Sequence, residues 1–174
     1  MNSLEVYATL RTLPVYTNVY AANRHPNSIS LPCGIVVNTD PDYKEGSHWI
    51  AIFIDKFRNG EYFDSYGLPP FVAHHKRFLR TNCKTFVFNT QEMQSLNSDV
   101  CGQYCLLYLY FRAHGRSLVD FQRIFCSDSI KNDSILVYNF NQYFKFVRSV
   151  GDHSGQRIQF CHCRQLRHRK PLIF

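Results

Sequence analysis

Gln94-Ser-Leu-Asn-Ser-Asp-Val-Cys101-Gly102 runs directly into Gln103-Tyr-Cys-Leu-Leu-Tyr-Leu-Tyr-Phe111, and the reading of that junction decides the fold. Residues 104–111 are continuously apolar and are closed by Arg112, His114 and the stop residue Gly115, with Ser98 or Asp99 as candidate caps in front. That pattern predicts a helix buried on nearly every side. Cys101 falls in its first turn, at the positive end of the helix dipole and near unpaired N–H groups. Both lower a thiol from its usual pKa of about 8.5 and favour the nucleophilic thiolate. A cysteine at a helix start is more often a packing residue than a nucleophile, and a base within reach is what separates the two.

The candidate base is His48, which opens His48-Trp-Ile-Ala-Ile-Phe-Ile-Asp55, a β-branched and aromatic run of strand character behind the polar residues 38–47. A second strand-like run, Gly60-Glu-Tyr-Phe-Asp64-Ser-Tyr-Gly67, puts a carboxylate sixteen positions after His48. Register decides whether imidazole and carboxylate meet. A tight two-residue turn at Asn59-Gly60 would set Asp64 opposite Asp55, some seven residues of roughly 3.3 Å each away from His48. A triad therefore requires a wider loop centred near Lys56 and Phe57, with Gly60 in the left-handed exit position. Residue 48 then falls opposite residues near 65, Asp64 orients the imidazole, and Asp55 becomes a turn residue.

Gln94 completes the set, because a carboxamide upstream of the nucleophile can donate N–H to the oxygen of a tetrahedral intermediate alongside the Cys101 backbone amide. Gln91 is the rival for that role.

Four segments, in their order and near their spacing, resemble the adenovirus-type (adenain-like) maturation cysteine proteases, within the clan that includes the SUMO-specific deconjugating proteases. They are Cys33-Gly-Ile-Val-Val-Asn-Thr, Gly46-Ser-His48-Trp49, Phe63-Asp64-Ser-Tyr-Gly67 and Gln94-Ser-Leu-Asn-Ser-Asp-Val-Cys101-Gly102. The resemblance runs from about residue 16 to about residue 150 and is weakest at both ends. It implies Cys101 as nucleophile, His48 as general base and then acid, Asp64 as the orienter of the imidazole, and Gln94 as oxyanion donor. Aspartate stands at 64 where the adenoviral enzymes tend to carry glutamate, as it does in the SUMO-directed relatives. The implied fold is α+β, a central mixed sheet flanked by helices around a papain-like cysteine protease core of the adenain/SUMO-protease type.

In this clan the aromatic after the histidine lines a narrow channel for the small residues preceding the scissile bond, which assigns Trp49, with Gly102, to substrate binding by resemblance. A narrow aromatic slot admits glycine and excludes branched side chains, since a backbone without Cβ passes close to a ring. Cleavage after glycine is the expectation. The implied function is a cysteine endopeptidase of a virus or virus-like transposon that processes capsid precursor polypeptides during particle maturation. Its place would be the virion and the host cell interior, nucleus or cytoplasmic assembly site. The alternative is an isopeptidase that removes SUMO- or ubiquitin-like modifiers with the same catalytic residues.

Composition agrees with one compact enzyme. A chain of 174 residues suits a single domain over 1–174, and its 45% hydrophobic and 16% aromatic content supplies one core. No stretch approaches the roughly twenty apolar residues of a membrane span, and residues 1–10 lack the charged-then-apolar design of a secretory signal. The expectation is an intracellular chain, neither secreted nor membrane-bound, whose seven cysteines are mostly free thiols.

The remaining order reads as a mixed amino-terminal region, two central strands, and a polar connection with Pro69-Pro70 and His74-His75-Lys76-Arg77. A third strand over residues 85–89 follows, and then mostly helices. Ser117-Leu-Val-Asp120 reads as a capping box, and Asp133-Ser134 as the cap of a helix running to about residue 150. Cys83 lies eighteen residues before Cys101, where the adenovirus-type enzymes bear a cysteine that can bond to an activating peptide. By that resemblance it is a candidate attachment point, with the peptide added along a strand edge. The net charge of +7, with Arg157, Arg164, Arg167, Arg169 and Lys170 crowded near the end, suits non-specific DNA binding through a basic tail, a cofactor the resemblance also implies. The chemistry itself requires no cofactor. His153, Cys161, His162, Cys163 and His168 are zinc-ligand types, but Cys161-His162-Cys163 is too tight for a structural knuckle, so no metal is expected.

Overall fold

β-branched runs build the sheet, and the apolar helix that follows Val100 packs across it. The computed structural model describes residues 1–145. Its elements are α1 (Ser3–Leu10), β1 (Tyr16–Tyr20), β2 (Cys33–Asn38), β3 (Trp49–Ile54), β4 (Asn59–Phe63), α2 (Ala73–Asn82), β5 (Thr85–Phe88), α3 (Cys101–Ala113), α4 (Leu118–Gln122) and α5 (Ser129–Lys145). The five strands lie in the order β1-β2-β3-β4-β5. β2-β3 and β3-β4 are antiparallel, while β1-β2 and β4-β5 are parallel. The α+β reading with a mixed sheet flanked by helices is the observed architecture. No helix among the described residues is long and apolar enough to cross a membrane.

Two apolar layers sandwich the sheet. α3 fills one, with Tyr104, Leu106, Leu107, Tyr108 and Leu109 at 0% exposure beside Val6, Leu10, Phe121 and Leu136. A Cβ on Gly34 would sit 2.9 Å from Leu109 Cδ2, so the glycine in β2 is what lets this helix lie close on the strands. The other layer unites Ile35, Val37, Ile50, Ile52, Ile54 and Tyr62 with Phe78 and Leu79 of α2.

The β3-β4 connection is the wider loop that a triad requires. Ile54 pairs with Gly60 and Ala51 with Phe63, and continuing that register brings residue 48 level with residue 66. Asp55 is a turn residue, its Oδ1 accepting from the Phe57 and Asn59 amides, each at 2.8 Å. The left-handed position, however, belongs to Arg58 at φ 70°, not Gly60. Glycine stands at 60 for a different reason: an added Cβ would lie 2.4 Å from Cys83 Sγ.

Three further sequence expectations are corrected. Neither Ser98 nor Asp99 caps α3; its N-cap is Val100, which makes no side-chain cap bond, and the Ser98 hydroxyl donates to the Ser95 carbonyl instead. α5 begins at Ser129, four residues before the expected cap. Asp128 Oδ1 accepts from the Lys131 amide at 3.1 Å, while Asp133 accepts from the Tyr104 hydroxyl and the Ser95 amide. The polar connection after Pro70 contains α2, whose buried residues are His75, Phe78, Leu79 and Asn82. The Ser117–Asp120 capping box forms in both directions, and Gly115 at φ 78° terminates α3. Behind it the Arg116 amide donates back to the Phe111 carbonyl at 2.9 Å, the six-to-one bond of a Schellman end.

Candidate active site

Cys101 is the first residue of α3, and His48 is the residue immediately before β3. Between β2 and β3, the Thr39 amide donates to the His48 carbonyl at 2.9 Å, and Gly46 turns at φ 91° over Asn38, where any Cβ would strike the carboxamide at 2.6 Å. The loop thus delivers His48 to the seam between sheet and helix.

Asp64 follows β4 directly and is wholly buried. His48 Nε2 lies 3.1 Å from Asp64 Oδ1, and the same oxygen accepts the Tyr66 amide at 2.8 Å. Asn89 locks the backbone of Asp64 from both sides, accepting its amide at 2.9 Å and donating to its carbonyl at 2.6 Å. Gly67 turns the chain away at φ 71°, with the Thr90 carbonyl 2.8 Å from where a Cβ would stand. With Nε2 committed to the carboxylate, Nδ1 is the ring nitrogen left for Cys101, whose sulfur and the imidazole shift one another's titration. Tyr66 lies against the ring of His48, centroids 4.9 Å apart and tilted 31°.

The electrostatics separate this pair from ordinary side chains. Burial opposes charge on His48, yet the hydrogen bond and charge of Asp64, and then of Cys101, outweigh it and raise the imidazole to about 9. Burial likewise opposes the Cys101 thiolate, and His48 together with the Trp49 and Gly102 backbone reverses that, bringing the thiol below its ordinary value. Each of the two groups thus favours the charged form of the other. Cys105, one turn further along α3 and wholly buried, is driven well above its ordinary value by desolvation.

Gln94 is 1% exposed. The Ser65 hydroxyl donates to its Oε1 at 2.7 Å, which fixes the carboxamide's orientation, and Nε2 donates one hydrogen to the Ser98 carbonyl at 2.7 Å. Its second N–H is the donor that an oxyanion role would require. Asn132 and Asp133 of α5 hold the loop beneath it, Asn132 Nδ2 donating to the Met93 carbonyl at 3.2 Å and Asp133 accepting the Ser95 amide at 3.3 Å. Gln91, the rival, contributes its backbone carbonyl to Asn89.

Trp49 is half-buried beside Gly102; a Cβ on that glycine would lie 3.5 Å from Trp49 Cδ1. Cys83 is half-buried at the end of α2, and burial pushes its thiol up to about 11. Cys33, Cys83, Cys101, Cys105 and Cys126 are all free thiols. Among the described residues no group of three metal-ligating side chains converges; His153, Cys161, His162, Cys163, His168 and the basic tail lie outside the described residues. Ser65, Tyr66, Asn89 and Asn132 were not singled out from the sequence, and Asp133 was read only as a helix cap. Ser65 and Tyr66 stand inside the Asp64–Gly67 segment, which was the one available signal for them.

Fold and site together define an α+β protein whose candidate reactive groups lie at the seam between a mixed sheet and one buried helix. The chain is 30% identical over 95 residues to a protease of porcine adenovirus A serotype 3, a match covering 46% of this chain and 47% of that protein, so it spans less than half of the relative's length. Among solved structures, ChlaDub1 from Chlamydia trachomatis shares the fold at 15% identity, covering 69% of this chain and 63% of that one with a TM-score of 0.50. The ASFV pS273R protease is 28% identical, covering 57% and 41% with a TM-score of 0.39. No protein-family model matches the chain.

Proposed function

We propose that the protein is a cysteine endopeptidase of a virus or virus-like transposon, cutting structural precursor polypeptides after or near glycine during particle maturation. The observation that carries this reading is His48 held between the buried Asp64 carboxylate at 3.1 Å and the Cys101 thiol, and the adenoviral relative supports it. The thiolate of Cys101 attacks the scissile carbonyl, and the second N–H of Gln94 and a backbone amide at the start of α3 stabilise the oxyanion. The imidazolium of His48 protonates the departing amine, and the neutral ring then activates the water that hydrolyses the thioester.

Regulation by a peptide bonded to Cys83 belongs to the same proposal. β5 is an edge strand begun two residues after Cys83, with Phe86, Val87 and Phe88 exposed along it, and an added strand would cover that edge. Such a bond requires a two-electron oxidant or exchange with a disulfide already on the peptide, and the high thiol pKa of Cys83 slows either route by keeping the thiolate scarce. DNA binding through the basic tail would weaken steeply as salt rises. Work of this kind is done in the virion and the host cell interior.

The test is mass mapping of fragments released from a particle's own capsid precursors, beside a modifier-linked reporter. Cuts after glycine in the precursors, abolished by Cys101→Ala, are the expected result. Release of a ubiquitin-like modifier with intact precursors would replace this reading by the deconjugating one.

A further inference from the structure

A hydrogen-bond donor stabilises an oxyanion only if it is already in place, and displacing it by about 1 Å can cost a hundredfold in rate. Gln94 brings a long, rotatable side chain to that task. Ser65 and Ser98 fix its carboxamide, and a separate set of bonds fixes its main chain. The Gln94 amide donates to the Ser65 carbonyl at 3.1 Å. On one side of its Cα the Met93 carbonyl accepts from the Tyr104 hydroxyl at 3.1 Å and from Asn132 Nδ2 at 3.2 Å; on the other the Ser95 amide donates to Asp133 Oδ2 at 3.3 Å.

Tyr104 connects these bonds to the nucleophile. It stands on α3 one turn beyond Cys101 and is wholly buried. Its single hydroxyl hydrogen is shared between the Met93 carbonyl at 3.1 Å and Asp133 Oδ1 at 3.0 Å. Burial and the Asp133 carboxylate push the ionisation of Tyr104 up, so the hydroxyl remains a donor. Asp133 thereby uses both of its oxygens, Oδ1 toward the helix that carries Cys101 and Oδ2 toward the loop that carries Gln94. One side chain of α5 bridges the two parts of the site that must keep a fixed separation.

We propose that Asp133 is a positioning residue for the oxyanion donor: through Tyr104 and the Ser95 amide it ties the Gln94 loop to the helix of the nucleophile and keeps the carboxamide where the oxyanion forms. This rests on the oxyanion role proposed for Gln94. Removing the carboxylate deletes no group that attacks or carries a proton, but it releases the Ser95 amide and the Tyr104 hydroxyl, and the donor loses its place. A residue that only stabilised α5 would cost the fold its stability and leave the turnover of bound substrate unchanged.

The experiment is a double-mutant cycle on the full-length chain, with kcat and KM read on a fluorogenic peptide that carries glycine before its reporter. Asp133→Ala should lower kcat by roughly tenfold or more, bounded by the about hundredfold scale of Gln94→Ala, with KM little changed. In the Gln94→Ala background the same substitution should cost less than about twofold, because the group it positions is gone. Asp133→Asn, which can accept the Ser95 amide through oxygen and donate to the Tyr104 hydroxyl through nitrogen, should recover most of the loss. Tyr104→Phe deletes only the hydroxyl; it should repeat the pattern on a smaller scale, and it reads the same bridge if Asp133→Ala does not fold. An unchanged kcat, losses that multiply in the double variant, a loss confined to KM, or an Asn variant no better than Ala overturns the role of Asp133. Gln94→Ala with an unchanged kcat overturns the oxyanion reading instead, a failure visible before the cycle is closed.

Discussion

His48 is half-buried and His75 wholly buried, and the two titrate in opposite directions. His48 faces a buried carboxylate and the Cys101 sulfur and is raised to about 9. His75, wholly buried on α2, is lowered to about 4 by desolvation; the Asn38 carbonyl, accepting from Nε2 at 3.1 Å, only partly offsets this. His25, stacked on Phe78 and set edge-on to His75 at 5.2 Å, is lowered to about 3. Cys101 and Cys105 repeat the lesson one helical turn apart. Burial alone makes these groups inert, and it is the fixed opposite charge beside them that turns burial into reactivity.

The largest test of the contrast uses the two thiols. Cys101→Ala should reduce peptide hydrolysis by on the order of a millionfold, whereas Cys105→Ala should leave the rate near the parent's and cost only stability. Equal losses in both variants would mean that the seam is not where chemistry happens. Next, Asp64→Asn removes the charge that holds His48 protonated. Activity should fall by as much as about 10⁴-fold and the His48 titration, followed by NMR, should move down from about 9. A fall in rate with an unmoved titration would assign Asp64 a merely structural part.

Gln94→Ala should lower kcat by about a hundredfold or more with KM little changed; a loss confined to KM would remove the oxyanion role. The smallest effect is on stability against pH. His75 titrates near 4 when folded and near 6.5 when unfolded, so the unfolded chain binds the extra proton between those values. Its contribution is complete above about 6.5 and is lost as pH falls, by about 2 kcal/mol from pH 7 to 5. His74, which opposes its charge, and Asp64, which favours it, act on the same group. His48 runs the other way: its contribution is present below 6.5 and fades as pH rises through about 9. Urea melts of parent and His75→Gln across pH 5–7 should differ in slope, and parallel curves would contradict the neutral state assigned to His75.

How much of this was legible in the sequence follows from the range of each interaction. The Val100–Cys101 boundary is local, an abrupt change from polar to continuously apolar residues, and it marks the start of α3. The β3-β4 register was legible because two side chains had to meet and only one loop length allowed it. α2 was hidden because His75 and Asn82 occupy core-facing positions that an apolar pattern would not include; one bonds a backbone carbonyl of another element and the other the Phe78 carbonyl of its own helix. The role of Gly60 was misread for a similar reason, since the sulfur that excludes a Cβ there comes from residue 83. Asn89 and Ser65 act across 25 and 29 positions respectively, and no local pattern records such distances.

The central claim, a thiolate made stable by His48, is tested most directly by the rate of iodoacetamide alkylation of Cys101 as a function of pH, in the parent and in His48→Ala. The account predicts rapid modification in the parent at pH values where a free thiol is still protonated, and in His48→Ala a return to a titration near or above the ordinary thiol range of about 8.5. A parent curve that already follows an ordinary thiol, and that His48→Ala leaves in place, would contradict it.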